Sequence, residues 1–193
     1  LPALLAFALC GGLHGCGASS PGRPAETAAP TIVKQPVRFA TRTFDPLNPP
    51  RDMPPMPAGE QAQCDSSFTS SAVVGGQSRK TGDTSAFITI TQITMTLGLD
   101  ITIWLPHGVT QHVAEHEQGH RQISEHYYET ADQIAARVAA QYMGRTVEVS
   151  GSDLQAEFNK ALEQMGAEIT EEYSRELNPQ PTQLLYDRIT DHA

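Results

Sequence analysis

Positive charge is scarce in this chain. Its 13 Lys and Arg face 22 Asp and Glu, a formal net charge of −9, so no basic face is on offer to phosphates, which excludes nucleic acid and a basic membrane-binding surface. Cysteine is scarcer: Cys10, Cys16 and Cys64 make up the whole complement of 3, too few for a disulfide framework. There is no Gly-rich phosphate loop and no internal repeat. The uncharged start contains an apolar run from Ala3 to Leu9, too short to cross a bilayer as a stable helix.

What that opening does match is the apolar core of a secretory signal, here without Met or a basic leader, so the sequence reads as entered partway through one. Leu13-His14-Gly15-Cys16 resembles the bacterial lipobox, which implies cleavage before Cys16 and acylation of that cysteine. His14 departs from the small residue usual at its place. Gly17 rather than Asp after the cysteine implies the periplasmic face of the outer membrane, the alternative being a protein secreted after ordinary cleavage. Residues 1–16 are therefore expected to be signal. Residues 17–59 crowd Pro46, Pro49, Pro50, Pro54, Pro55 and Pro57 and are expected to form a flexible tether, although Thr31 to Phe39 is β-prone and could add an edge strand. Residues 60–193 are expected to hold the domain, of roughly 130 residues, enough for a core.

Within the domain, Ser71 to Val74, Ala86 to Thr96 and Ile101 to Leu105 are rich in Ile, Val and Thr and alternate in polarity. Gly75-Gly76, Gly82-Asp83 and Leu97 to Asp100 read as the turns between them. A small antiparallel sheet is thus expected, followed by a long helix from Thr110 to Met143 with Gly144 as its stop. A second helix begins at Ser152, paired with Gln155 as a capping box, and runs along Leu154, Phe158, Leu162, Met165, Ile169 and Tyr173 to Asn178-Pro179. The fold class is α+β.

The first helix carries His116-Glu117-Gln118-Gly119-His120, the H-E-x-x-H arrangement of zinc hydrolases. At about 100° and 1.5 Å per residue, the two histidines differ by about 40° and one turn, so both rings can reach one tetrahedral ion. Glu117, about 100° round from His116, is free to act as general base toward water rather than as a ligand. The same face continues through Ile123, Tyr127, Ala131, Ile134 and Val138, so the histidines head an apolar, inward stripe. Gly119 weakens the helix by about 1 kcal/mol relative to Ala, and close backbone approach beside the metal accounts for it.

The H-E-Q-G-H run, with Tyr186-Asp187-Arg188-Ile189-Thr190-Asp191-His192 further on, resembles a bacterial family of uncharacterised secreted and lipoprotein domains described as predicted zinc-dependent proteases, whose members carry a later Y-D-x-x-T-x-H-G. Ala193 stands where that family has Gly. The resemblance implies a zincin-like fold and a peptidase activity, and points to His192 as third zinc ligand beside Tyr186, whose hydroxyl could stabilise an oxyanion. Three candidates for the third ligand stay open: His192; Glu168 or Glu172 on the second helix; and His126, which falls at the third-histidine position of a longer motif that needs Gly where Ile123 stands. His107 and His112 read as solvated residues near the helix start. The expected function is a zinc-dependent peptidase acting on peptides or proteins of the bacterial cell envelope, held to the membrane by its lipid anchor. The alternatives are a zinc amidase acting on peptidoglycan and a non-catalytic envelope lipoprotein.

Overall fold

The computed structural model describes residues 28–56 and 59–190. The expected signal, Cys16 as expected lipidation site, and His192 as expected ligand lie outside the described residues. The described part is an α+β fold of five strands and four helices.

Its axis is β4 (Ser85–Pro106), a strand of 22 residues. One face buries Ala86, Ile88 and Ile90, then Ile93, Met95, Leu97, Leu99, Ile101 and Ile103, the isoleucines, leucines and methionine each worth roughly 1.5–3 kcal/mol of apolar burial. The step from Ile90 to Ile93 breaks the two-residue period, and pairing explains why. Gly76 of β3 (Gln63–Lys80) lies opposite Ile90, while Gly75 lies opposite Gln92. Thr91 is therefore an extra residue, and this bulge resets the phase so that both halves of the strand turn their apolar side chains to the same helices. Gly75-Gly76, expected as a turn, is thus the partner of a bulge. Leu97 to Asp100, also expected as a turn, is continuous strand. Gly98 fits there because it faces Thr69, whose hydroxyl would lie 2.6 Å from a Cβ at that position. The turn at Gly82-Asp83 does join β3 to β4 as an antiparallel hairpin.

β3 occupies one edge of β4 along almost its whole length. The other edge is shared by three short strands in succession: β5 (Thr146–Ser150), antiparallel to Ser85–Thr89; β1 (Thr31–Lys34), parallel at Thr94–Leu97; and β2 (Arg38–Phe44), parallel at Asp100–Pro106. The sheet is therefore mixed rather than purely antiparallel. Residues 31–44, assigned to the tether, belong to the domain because they complete the hydrogen bonding of an otherwise bare edge. The β-prone stretch noted in the sequence is the part of the tether that does so.

The expected single helix is two, α1 (Gln111–Glu129) and α2 (Ala131–Ala140), divided at Thr130. Thr130, with φ −99° and ψ 4°, leaves the helical region, and its hydroxyl donates back to the Tyr127 carbonyl at 3.4 Å. Lys34 of β1 pins the break, donating to the Glu129 carbonyl at 2.8 Å and to Asp132 at 3.0 Å. The change of direction also moves the buried stripe: His116, Ser124, Tyr128, Ala131, Ala135 and Val138 face inward, whereas Ile123, Tyr127 and Ile134 are only half-buried. Gly144 adopts the left-handed φ of 76° expected of a stop, but beyond the end of α2, where its N–H bonds Ile90. Helix α3 (Leu154–Glu176) packs on β3 and α2. Its N-cap is Asp153 rather than Ser152, the carboxylate accepting from Gln155 and Ala156. Last comes α4 (Gln180–Thr190), which buries none of its residues and packs against α1 alone among the elements. No helix among the described residues is long and apolar enough to cross a membrane.

This arrangement dictates where the domain can be cut. A chain started at Gly59 lacks β1, β2 and Lys34, and is expected to melt lower than one started at Pro30 by roughly 10 °C or more, or to lose its cooperative transition, as followed by circular dichroism.

Candidate metal centre

Thr110 caps α1, its hydroxyl accepting from the Val113 N–H at 3.3 Å, and the helix then lays its second and third turns against β3 on one side and α4 on the other. His116 and Glu117 are 4% and 3% exposed. The imidazole Nε2 atoms of His116 and His120 stand 3.1 Å apart. Asp187 of α4 brings its Oδ1 to 2.7 Å from the His120 nitrogen and 3.4 Å from that of His116.

The hydrogen bonds behind the rings decide what these atoms are. Gln183 donates through its amide nitrogen to the His120 carbonyl at 3.1 Å and to Ser124 at 3.0 Å, which leaves its carbonyl oxygen facing His120 Nδ1 at 2.6 Å. That oxygen can only accept, so His120 carries its proton on Nδ1. Thr190 donates its hydroxyl hydrogen to the Tyr186 carbonyl at 2.7 Å and receives from His116 Nδ1 at 3.1 Å, which puts the proton of His116 on Nδ1 as well. Both Nε2 atoms therefore present lone pairs to each other and to a carboxylate oxygen. Three acceptors that close to one another repel unless a cation sits among them. A tetrahedral ion with ligands at about 2.0–2.1 Å needs its donors about 3.3 Å apart; the separations of 3.1 and 3.4 Å lie close to that, and the 2.7 Å between Asp187 and His120 would have to open on binding. Among the described residues no other group of three His, Cys, Asp or Glu gathers its ligand atoms this closely. The group could hold a metal ion.

The rings are fixed from a third direction by Tyr186, stacked on His116 with centroids 5.0 Å apart and edge-on to His120 at 5.1 Å. Its hydroxyl lies over Gly119, where any Cβ would collide with it. This is the close approach expected at Gly119, made by a side chain from α4. On the helical wheel Gly119 lies on the flank of the histidine pair opposite Glu117, and Tyr186 borders a shallow cleft with Gln122, Ile123 and Thr182 rather than the main groove.

That groove, about 580 Å³, runs between the start of β3 and α4 and is floored by Glu117, His120 and Asp187. Burial, followed by the nearby charge of Glu60, pushes the Glu117 carboxyl up to about 7, against the pull of a hydrogen bond from the Cys64 backbone N–H. A carboxyl poised there can take a proton near neutrality and return it. Burial likewise lowers His116, helped by the neighbouring His120 and opposed by Asp187, which favours the neutral imidazole a metal requires.

The sequence-predicted residues are thus partly assembled. His116, Glu117, His120 and Tyr186 meet. Among the other candidates for third ligand, His126 is exposed and pairs with Glu129 at 3.3 Å, Glu172 accepts from Tyr142 at 2.9 Å, and Glu168 is exposed on α3. Asp187 was missed as a donor, as were Gln183 and Thr190 behind the rings. The signal for them was available: Gln183, Tyr186, Asp187 and Thr190 recur at the spacing of one helical face, a polar stripe in a tail whose apolar residues Leu184, Leu185 and Ile189 are exposed.

Compared with known proteins, the chain matches no family model, no curated protein and no solved structure; the site's own geometry carries the functional reading.

Two measurements test that geometry. Gly119→Ala, normally worth about 1 kcal/mol in favour of a helix, is expected instead to displace Tyr186 and lower metal affinity roughly tenfold or more, as read by metal titration with a competing chelator. The second concerns Glu117, whose folded value of about 7 lies above its ordinary 4.5. Between those values the folded protein holds a proton the unfolded chain has lost, so this group's contribution is present below about 4.5 and is lost as pH rises through 7. Metal-free Glu117→Gln is therefore expected to match the parent near pH 4.5 and to exceed it above pH 7 by up to about 3 kcal/mol, as measured by denaturant melts across that range.

Proposed function

We propose that this chain is a zincin-like, zinc-dependent peptidase of the bacterial envelope, secreted or anchored through Cys16. The observation that carries the reading is the convergence of the His116, His120 and Asp187 lone pairs beside a buried Glu117 that is not among the three donors. A structural zinc site is closed by four protein ligands and has no use for a base beside it, whereas three donors leave a place open. His116, His120 and Asp187 would hold the ion, a mixed nitrogen and oxygen set that zinc accepts. Bound there, zinc supplies Lewis acidity toward a carbonyl oxygen and toward water.

The chain's own residues do the remainder. Glu117 takes a proton from the attacking water as the new carbon–oxygen bond forms, and returns it to the amide nitrogen as the carbon–nitrogen bond breaks, so the carboxylate is regenerated. Its elevated proton affinity suits both halves of that exchange. Gln183 and Thr190 hold the imidazoles in the donor tautomer, and Tyr186 keeps His116 from turning. The groove supports an extended substrate, since β3 is hydrogen-bonded to β4 on one edge and its opening residues line the groove with the other. Attachment at Cys16 rests on the lipobox resemblance and places the substrate among envelope peptides and proteins.

The test is a set of single variants assayed for zinc content and for hydrolysis of a broad peptide and muropeptide mixture. Glu117→Gln is expected to keep one zinc per chain and lose hydrolysis. Asp187→Ala is expected to lose zinc affinity by orders of magnitude, with His192→Ala retaining it. Metal kept without Asp187 and lost without His192 would pass the third place to His192, and full activity in Glu117→Gln would end the mechanism.

A further inference from the structure

Pro46, Pro49, Pro50, Pro54 and Pro55, which read as part of a tether, wall a second cavity. It holds about 580 Å³ and lies between the loop after β2, the end of β4 and the cap of α1, with Phe44, Met53, Met56, Val109 and Pro106 among its lining. We propose that this cavity is a substrate subsite for a bulky apolar side chain, aromatic or long aliphatic, next to the bond that the metal centre cleaves. The proposal rests on the peptidase reading and names the class of residue that reading leaves open.

Continuity supports it first. Glu60 lines both this cavity and the metal-site groove, and the chain passes directly from Glu60 and Gln61 in one to Ala62, Gln63 and Cys64 in the other. A peptide lying along the opening of β3 with its carbonyl above Glu117 would run toward Glu60, the residue the two spaces share. Chemistry comes second. Prolines, methionines, a phenylalanine and a valine make up most of the wall, with Glu60, Gln61, His107 and Thr110 as its polar members; proline offers no N–H to be left unsatisfied, and methionine adapts to aromatic and branched shapes alike. The volume lies within the range of pockets that enclose small ligands and exceeds what an alanine-sized group could fill.

Preorganisation is the third support. Among its described residues the loop is tied down at several points: Asp45 accepts from the Leu47 N–H through its side chain and from the Asn48 N–H through its carbonyl, both at 2.9 Å. Arg42 pairs with Asp52, Met53 donates to the Pro50 carbonyl at 3.1 Å, and Gln63 of β3 donates to the Pro54 carbonyl at 3.2 Å. A wall fixed by proline rings and these bonds loses little freedom when a side chain enters, so burial turns into affinity.

The experiment uses the full chain loaded with zinc and a series of peptide hydroxamates that differ only in carrying an Ala, Leu, Phe or Glu side chain on either side of the metal-binding group. Phe and Leu compounds are expected to bind about tenfold or more tightly than Ala, and Glu more weakly. Met53→Asp and Met56→Asp, checked for unchanged melting, are expected to erase that preference while leaving the Ala compound unaffected. Equal affinities in the parent, or a preference that survives both substitutions, overturns the subsite and leaves the metal centre standing. A second arm separates the two readings. With methyl-labelled methionine and metal-free protein, acetyl-phenylalanine methylamide is expected to shift Met53 and Met56 and to spare Met95, which is fully buried on the core face of β4. Shifts there with no hydroxamate binding at all show that the metal-centre reading has failed while the apolar cavity persists, and the absence of shifts overturns the cavity whatever the metal does.

Discussion

Two imidazole lone pairs and a carboxylate oxygen meet in one small volume, and that meeting depends on two hydrogen bonds made on the far side of the rings. If Gln183 and Thr190 were absent, either neutral imidazole could carry its proton on Nε2 and satisfy Asp187 by donating an ordinary hydrogen bond. Because both rings are protonated at Nδ1, that escape is closed and the centre is left with acceptors only. The helix α4 owes its position to the same contacts. It has no buried residue, so the groove and the place of Tyr186 depend on polar bonds and ring contacts between two helices.

The sheet serves this centre by holding α1 still. The bulge at Thr91 turns two stretches of apolar side chains in a single very long strand toward the same helical layer, and Ser66 of β3 meets Ser124 of α1 at 2.9 Å, one turn past His120. On the opposite edge of β4, Lys34 and the Tyr128 hydroxyl, which donates to the Gln35 carbonyl at 2.8 Å, tie β1 to the end of α1. The helix bearing the histidines is thus fastened along its second half and at its C-terminal end.

What the sequence disclosed, it disclosed through periodicity. Isoleucine and threonine in alternation mark β4, and the four-residue spacing of His116 and His120 marks the centre, because both patterns are local. The misreadings are of features whose meaning is set by a partner far along the chain. Glycines at 75, 76 and 98 look like turns until the opposing strand is known. The proline-rich stretch looks unfolded because prolines build neither helix nor sheet, yet here they stand as a wall between two strands. Asp187 was overlooked because an aspartate in a polar tail resembles a solvated charge; only the helical spacing of its neighbours Gln183 and Thr190 distinguishes it.

The docking of α4 has a consequence in polymer terms. His116 and Thr190 are 74 residues apart in sequence, and Cys64 is a free thiol with no disulfide among the described residues. An ion gripped by His116, His120 and Asp187 would be a crosslink across a long loop of chain, restricting the unfolded ensemble as a disulfide does. Unlike a disulfide, it would be broken by acid or a chelator rather than by a reductant. In this chain the reactive centre and the staple would be one object, so conditions that strip the one would loosen the other.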